Sequence, residues 1–514
     1  QDALDAIAEQ PVVGAVVSPY EHSGAGQISK DGTIAFAQVT FDRDNSDLSK
    51  QDVQRVVDAA KSAETDGLEV ELGGSAISMA EEPPAHLSEI IGIGAAAVVL
   101  LFAFGSVTAM LLPIVTAVVS VGMGAMAIGL LSHGMIVAEF APMLGLLIGL
   151  GVGIDYALFI VTRHRRGLKQ GLGVQQAAEH AVSTSGRAVI FAGATVCVAL
   201  LGMLVLRLDF LNGVAVAASL TVVLTVLASV TLLPALLGLL GHRVLSRRER
   251  RRLAEHGPEP EAPTGLAARW SAFVERHPRA LAAVGAAVML VLTLPTLSLH
   301  LGTADQGNDP ASSTTRKAYD MLAEGFGPGF NGPLQLVAET PHPGDRAALD
   351  GLVASLRTTE GVAAANAVPT GSTSPLGVVQ VVPTTAPQDR ATDDLIERLR
   401  DQVIPAAEQG TTLDVHVGGP TATYSDFAAT LVGKLPLFVG AIVALGLVLL
   451  LLAFRSFGVP LTAAVMNILA SVASLGAVVA VFQWGWGAEL LGIGRAGPIE
   501  PFLPVIMVSV LFGL

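Results

Sequence analysis

Apolar runs of about twenty residues dominate this chain and limit what it can fold into. A run of that length has enough helical rise to cross the hydrocarbon core of a bilayer. Such runs lie near 88–104, 107–131, 138–162, 187–206, 211–241, 278–299, 433–454 and 458–483, and another begins near 499. Composition agrees: 51% of the residues are hydrophobic and 14% are charged, whereas a soluble domain is about a quarter charged. The apolar residues must be buried in lipid rather than in one large core. Aromatics make up only 5%, so close helix packing through Ala, Gly, Val and Leu is expected. A net charge of −14 excludes a nucleic-acid binder, which would carry a basic patch. The lone Cys197 sits inside an apolar run; it reads as a small packing residue, and no disulfide framework exists.

The polar segments divide the chain. Residues 1–85 read as a small α+β lobe, with strands at Thr33–Phe41 and Gly67–Leu72 and a helix at Ser49–Ala63. Membrane spans fill 86–241. A basic loop at 242–277 follows, then a span at 278–299. A second polar lobe occupies 300–430, with strands at Leu334–Ala338 and Val378–Val382. Spans resume across 431–514. Arg163, Arg165, Arg166, Lys169 and Arg187 crowd one loop. Arg243, Arg247, Arg248, Arg250, Arg251, Arg252, Arg269, Arg276 and Arg279 crowd another. Close to half of the 30 basic residues therefore lie in two short segments. The positive-inside rule puts both in the cytoplasm, which leaves the two acidic lobes outside it. The chain opens on Gln1 and ends inside an apolar run, so a polypeptide truncated at both ends is expected.

The two halves resemble each other. Leu68-Glu-Val-Glu-Leu-Gly-Gly-Ser75 matches Leu413-Asp-Val-His-Val-Gly-Gly-Pro420. Leu100-Leu-Phe-Ala-Phe-Gly-Ser106 matches Leu450-Leu-Leu-Ala-Phe-Arg-Ser456. Pro142 to Gly151 matches Pro504 to Gly513. Both copies run in the same direction, as in transporters built from parallel repeats about an axis along the membrane normal. The second half carries extra residues around Trp484–Gly497.

The residue with the sharpest chemical meaning is Asp155, in the run from Pro142 to Arg163. A charged Asp at mid-span costs at least about 2.5–3.5 kcal/mol. It therefore needs a partner or a proton, and an acid that alternates between the two carries protons. The bland alternative is a permanently protonated Asp that bonds a neighbouring helix. Tyr156 supplies a phenol able to donate to that carboxylate or pass a proton on, though alone it would be an ordinary packed aromatic. Gly145, Gly149 and Gly153 recur every four residues and line one face, while Gly151 shares the face of Asp155. Small residues permit close helix approach, which reads equally as packing on the counterpart helix of the other half or as generic packing among membrane helices. Glu139 and Glu500 precede equivalent spans and complement helix N-termini. Arg247–Arg252 reads as a topology anchor in contact with lipid headgroups. No phosphate loop, no metal-ligand cluster and no nucleophile elbow occurs. The sequence thus points to no enzyme, metal or cofactor, and to protons rather than ATP as the energy source.

The stretches GLGVGIDYALFIVTRHRRGL (149–168) and STSGRAVIFAGATVCVALLGMLVL (183–206) resemble the Asp-Tyr span and the Gly-Arg-x-Val-x-Phe span of the MMPL family of the RND superfamily. The resemblance implies a polytopic α-helical membrane protein with twelve spans and two extracytoplasmic α+β porter lobes. It further implies a parallel two-fold repeat, with spans two to six arranged like a sterol-sensing domain. The implied activity is export of lipids or other hydrophobic molecules across the bacterial inner membrane, coupled to proton entry. Membrane lipids, the hydrophobic substrate and protons would be the partners, with homo-oligomerisation open. Asp155 and Tyr156 would form half of a proton relay whose second Asp-Tyr pair falls just beyond Leu514. Ala192 stands where the family often has Ser, which leaves one polar relay member missing. Two alternatives share the architecture: a lipid-binding sensor or receptor, and a protein-export auxiliary.

Overall fold

The computed structural model describes residues 1–513 except 22–23, 25, 45–46, 82–85, 139, 259–265, 370–374 and 489–493. The chain begins with helix α1 (Asp2–Ala8) and strand β1 (Val13–Val17), which pairs antiparallel with β2 (Gln38–Phe41). Helix α2 (Lys50–Lys61) starts where the Ser49 side chain accepts from the Asp52 N–H, and it buries Val53, Val56 and Ala60. Helix α3 (Ser75–Glu81) follows. The expected strand at Thr33–Phe41 is confined to its last four residues. The one expected at Gly67–Leu72 does not form a ladder. Side chains take the groups a neighbouring strand would have used: the Leu72 N–H donates to Thr314 Oγ1.

The apolar runs become helices. These are α4 (His86–Phe104), α5 (Val107–Leu131), α6 (Ala141–Lys169), α7 (Val174–Ala181), α8 (Arg187–Leu201), α9 (Asp209–Val230) and α10 (Leu232–Leu240). The polar helices α11 (Arg247–His256) and α12 (Leu266–Arg276) precede α13 (Pro278–Thr293). The second polar region holds α14 (Thr314–Phe326), β3 (Leu334–Glu339), α15 (Pro343–Leu356), β4 (Val362–Val368), β5 (Leu376–Pro383), α16 (Arg390–Arg398), α17 (Ile404–Glu408) and β6 (Asp414–Gly418). Then come α18 (Pro420–Phe454), α19 (Gly458–Val478) and α20 (Leu503–Gly513). Among the described residues, seven continuous helices are long and apolar enough to cross a membrane. The protein is polytopic and mainly helical.

Helix ends deviate from the apolar runs where polar residues continue a helix without a breaker. Helix α6 runs on to Lys169 because nothing after Arg163 stops it. Helix α18 has 35 residues, roughly 50 Å, since its polar first turns hold no glycine until Gly433. A π-helical turn at Val182–Gly186 joins α7 to α8.

Two compact units emerge. The first comprises 1–83, 298–430 and 478–501. It contains an antiparallel sheet of order β4-β5-β3-β6. In β3 the residues alternate inward and outward, so Leu334, Leu336 and Ala338 enter the core while Gln335, Val337 and Glu339 face out. Helices α15 and α16 cover that inner face with Leu352, Leu356, Leu395 and Ile396. Glu71, in the segment after α2, ties the end of α2 to α14. Its side chain is 2% exposed and pairs with Lys61 at 2.9 Å and Lys317 at 2.8 Å, and it accepts from Thr314 Oγ1 at 2.5 Å. Burial alone would raise its pKa, but hydrogen bonds from Lys317, Thr314 and Lys61 outweigh it and bring the group down from 4.5 to about 2. The second unit comprises 84–297, 431–477 and 502–514. There α5, α6 and α9 pack on one another, α8 lies on α9, and α20 lies on α8.

Arg455 adopts φ +48°, a left-handed conformation that glycine takes without strain, as Gly105 does at φ +59°. Arg455→Gly should therefore raise stability by about 0.5–1 kcal/mol, and Gly105→Ala should lower it by a similar amount; thermal melts in detergent would read both. For Glu71, a depressed pKa means stabilisation that is complete above pH 4.5 and lost as pH falls toward about 2. Glu71→Gln should flatten the pH dependence of unfolding in that window, read by fluorescence of Trp484 and Trp486 in the same unit.

Candidate functional site

Helix α6 is the centre of the site because two faces of it do different things. Gly145, Gly149 and Gly153 face α5 and α9. A Cβ on Gly149 would lie 2.8 Å from Thr221 Cγ2 and 3.0 Å from Val121 Cγ2. On Gly153 it would lie 3.1 Å from Ala117 Cβ and from Thr225 Cγ2, and on Gly145 3.0 Å from Ile128 Cδ1. The glycines therefore pack within their own half. Of the two readings of these glycines, they make the generic helix-packing contacts rather than the counterpart-helix contact, because α5 and α9 already occupy this face. Those helices answer with small and hydroxylated residues, Ala217, Thr221, Thr225 and Ser229, spaced by four along α9. Thr221 donates to the Ala217 carbonyl at 3.0 Å and Thr225 to the Thr221 carbonyl at 2.8 Å. Ser120 donates to the Ala117 carbonyl at 2.8 Å. Each hydroxyl is satisfied by its own helix, so close approach leaves few polar atoms stranded. Ser229 Oγ is an exception among the described residues. The sequence signal for this row is its four-residue spacing, which is fainter than that of the α6 glycines.

The opposite stripe, Leu147, Gly151, Asp155 and Phe159, is exposed. A Cβ on Gly151 would meet nothing within 4 Å, so this glycine is separate from the other three. Among the described residues Asp155 has no hydrogen bond or ion pair. Tyr156, one residue on, is turned about 100° around the helix. It is 2% exposed, and a Cβ on Gly193 of α8 would lie 3.7 Å from its Cε2. Its hydroxyl is buried without a partner. The expected Tyr156–Asp155 hydrogen bond is thus not formed; helical rotation separates the two side chains.

The other singled-out residues have clear places. Thr195 Oγ1 lies 2.7 Å from the Ala192 carbonyl and 2.9 Å from the Gly513 carbonyl. Cys197 Sγ lies 3.6 Å from the Ser219 carbonyl and packs in the bundle. Glu500 accepts from the Ala304 N–H at 3.2 Å, and burial raises its pKa. Glu139 lies outside the described residues. Among the basic residues, Arg165 has a specific structural place. It is buried and donates to the Phe104 carbonyl and to Glu249, both at 2.7 Å, with its guanidinium 4.8 Å from the Phe104 ring centroid. Lys169 also pairs with Glu249 at 2.7 Å. Burial of Glu249 would raise its pKa, but Lys169, the Ser246 N–H and Arg165 together hold it below the usual range. The carboxylate also caps α11 through the Ser246 N–H. No group of His, Cys, Asp and Glu able to hold a metal occurs among the described residues.

A bundle of spanning helices with one carboxylate in the middle of a span, joined to a polar α+β unit, is the plan of a multi-pass membrane transporter. The comparisons agree: the MMPL family model matches residues 1–281 and 338–493, and the chain belongs to that family. It is 35% identical over 519 residues to the membrane protein YdfJ of Bacillus subtilis, covering 100% of this chain and 69% of that protein. It is 30% identical to the mycolic acid-containing lipids exporter MmpL11 of Mycolicibacterium smegmatis, over 81% of this chain and 44% of MmpL11. It is also 30% identical to the trehalose monomycolate exporter MmpL3 of the same organism, over 83% of this chain and 45% of MmpL3. The chain thus spans less than half the length of these two exporters.

The two faces of α6 predict opposite tolerance. In this chain Gly149→Val should cost about 1–3 kcal/mol through overpacking against Thr221, whereas Gly151→Val should be near neutral. Thermal unfolding in detergent distinguishes them; equal effects would contradict the assignment of faces.

Proposed function

We propose that this protein exports lipids or other hydrophobic molecules across the bacterial plasma membrane, driven by proton entry, with Asp155 as the protonatable carrier. The observation that carries the reading is an unpartnered carboxylate on the open stripe of a membrane helix. Such a group cannot remain charged against acyl chains, because even a helix-centre Asp in translocon insertion costs about 2.5–3.5 kcal/mol. It must be protonated there, or meet a polar partner or water. A cycle between those conditions moves a proton, and one charge crossing the potential yields about 2.3 kcal/mol per 100 mV.

A parallel two-fold repeat gives that stripe its partner. Several backbone features support the repeat. Gly74 and Gly419 close the matched Gly-Gly pairs at φ +107° and +93°. Gly105 and Arg455, matched in the Phe-x-Ser turns, share the left-handed conformation. The matched Phe140 and Phe502 stack on each other, with centroids 5.0 Å apart and planes 12° apart; equivalent residues touch each other only near a symmetry axis. Gly513, equivalent to Gly151, sits so close to α8 that a Cβ there would lie 2.5 Å from Val196 Cα. By the same symmetry, the stripe of Gly151 and Asp155 receives the second half's counterpart of α8. In this reading 1–85 and 300–430 are the extracytoplasmic porter lobes, 242–277 is the cytoplasmic loop, and 86–241, 278–299 and 431–514 are membrane spans. The names of MmpL11 and MmpL3 as lipid exporters support the cargo class.

The test is Asp155→Asn in the full-length protein. Asn keeps the shape and removes the titratable proton, so export of the lipid cargo should be lost while the protein stays folded and membrane-inserted. A lipid profile of cells carrying the variant, with normal protein abundance, reads the outcome. Undiminished export would eliminate Asp155 as the carrier.

A further inference from the structure

Two cations meet at one end of the membrane unit, and proton transport uses neither. Helix α8 passes into a 3₁₀ turn at Gly202–Leu206 and closes at Arg207, which has φ +51°. This left-handed conformation strains every residue but glycine. Lys434 of α18 reaches the same point: its Nζ donates to the Leu206 carbonyl at 2.7 Å, the carbonyl bonded to the Arg207 nitrogen. The two elements also touch at Gly202, where a Cβ would lie 3.0 Å from Ile442 Cγ1. Lys434 is half-buried and Arg207 is exposed. An ammonium has three N–H donors, and one is used on Leu206. The Arg207 guanidinium makes no hydrogen bond or ion pair among the described residues. Asp209, two residues on, is exposed and pairs with neither cation among those residues.

The spans set the depth of this pair. No charged residue lies between Arg187 and Arg207, 20 residues apart, or between Lys434 and Arg455, 21 apart. Each interval is roughly 30 Å of helix, the thickness of the hydrocarbon core. Arg207 and Lys434 therefore both lie at the level of the phosphates of one leaflet. Arg187 belongs to a basic segment that faces the cytoplasm, so that leaflet is the outer one. We propose that Arg207 and Lys434 form a phosphate site for an anionic phospholipid of the outer leaflet, at the seam between α8 and α18. A guanidinium takes two phosphate oxygens at once, and an ammonium adds a compact point charge. Apolar side chains continue from the site toward the bilayer centre: Leu201, Leu204, Val205 and Leu437 are all exposed. A phospholipid held by its phosphate would lay its acyl chains on them, which a soluble anion would leave bare. Such a ligand also accounts for arginine at a position where glycine would be unstrained, since no partner within the described residues compensates for that strain. The inference needs α8 and α18 to span the membrane but does not depend on proton coupling, so the result of Asp155→Asn leaves it unaffected.

The test places the full-length protein in nanodiscs containing phosphatidylglycerol with a photoreactive diazirine near the headgroup end of one acyl chain. A phosphatidylcholine probe with the same chains is the control. Irradiation and peptide mass mapping should find adducts on 201–208 and 432–438, several-fold more with phosphatidylglycerol than with phosphatidylcholine. Arg207→Gln and Lys434→Gln should each lower these adducts about fivefold, while adducts on the arginine-rich stretch 247–252, at the other leaflet, stay unchanged. Arg207→Gly separates binding from folding: it should lower the adducts as much as Arg207→Gln, yet raise the melting temperature by relieving the left-handed strain. Adducts that are indifferent to both cations, or equal yields from the two lipids, would overturn the proposal. An absence of adducts on both segments would mean that protein covers the seam, and would overturn it equally. Loss of the adducts on adding millimolar glycerol 1-phosphate to the buffer would assign the two cations to a soluble anion and remove the lipid site.

Discussion

The contact on which the membrane unit depends is the glycine face of α6 against the hydroxyl-bearing faces of α5 and α9. Helices in lipid gain little from hydrophobic burial against each other, so close van der Waals packing must hold them. Glycine at 145, 149 and 153 removes the side chains that would keep the helices apart. Thr221, Thr225 and Ser120 fill the space with short groups whose hydroxyls bond their own backbone. That packing also fixes the rotation of α6 about its axis. Once the glycines face inward, Gly151 and Asp155 are committed to the opposite stripe and Tyr156 to the side of α8.

The separation of Asp155 from Tyr156 follows from this rotation. Adjacent residues on a helix point about 100° apart, so a helix clamped on one face cannot present both to one partner. The phenol is enclosed by the bundle and the carboxylate is left to whatever covers the open stripe. Chemistry that needs both groups must bring a third one between them or move the helix. At one end of this assembly Phe140 stacks on Phe502, with ring centroids 5.0 Å apart.

Away from the spans, charged residues take structural roles that their exposure in the sequence conceals. Glu71 joins the end of α2 to α14 through Lys61 and Lys317, and its low pKa reflects those partners rather than its burial. Arg165 and Lys169 belong to the basic cluster that follows the apolar part of α6, and both close on Glu249 and hold α11 against the end of α6. A basic residue can satisfy the positive-inside rule and a specific ion pair together, because the rule counts charge near a membrane edge and the pair needs only one acceptor.

The sequence by itself determined the membrane class, the positions of the apolar helices, the alternation of β3 and β5, and Asp155 as the acid at mid-span. Those properties depend on local composition and period, which hydropathy and spacing express directly. It also carried the family resemblance, through two motifs on neighbouring spans. The extension of α18 into polar residues escaped it, since the helix continues through Gly433 and Pro436 into residues of low hydropathy. The Gly67–Leu72 segment was misread as a strand because its partners, Lys61, Thr314 and Lys317, come from elsewhere in the chain. Only the tertiary structure decided which helices the glycines touch, that Gly151 is apart from them, and that Tyr156 turns from Asp155. Periodicity assigns residues to a face; which neighbour occupies that face is settled by packing among segments far apart in sequence.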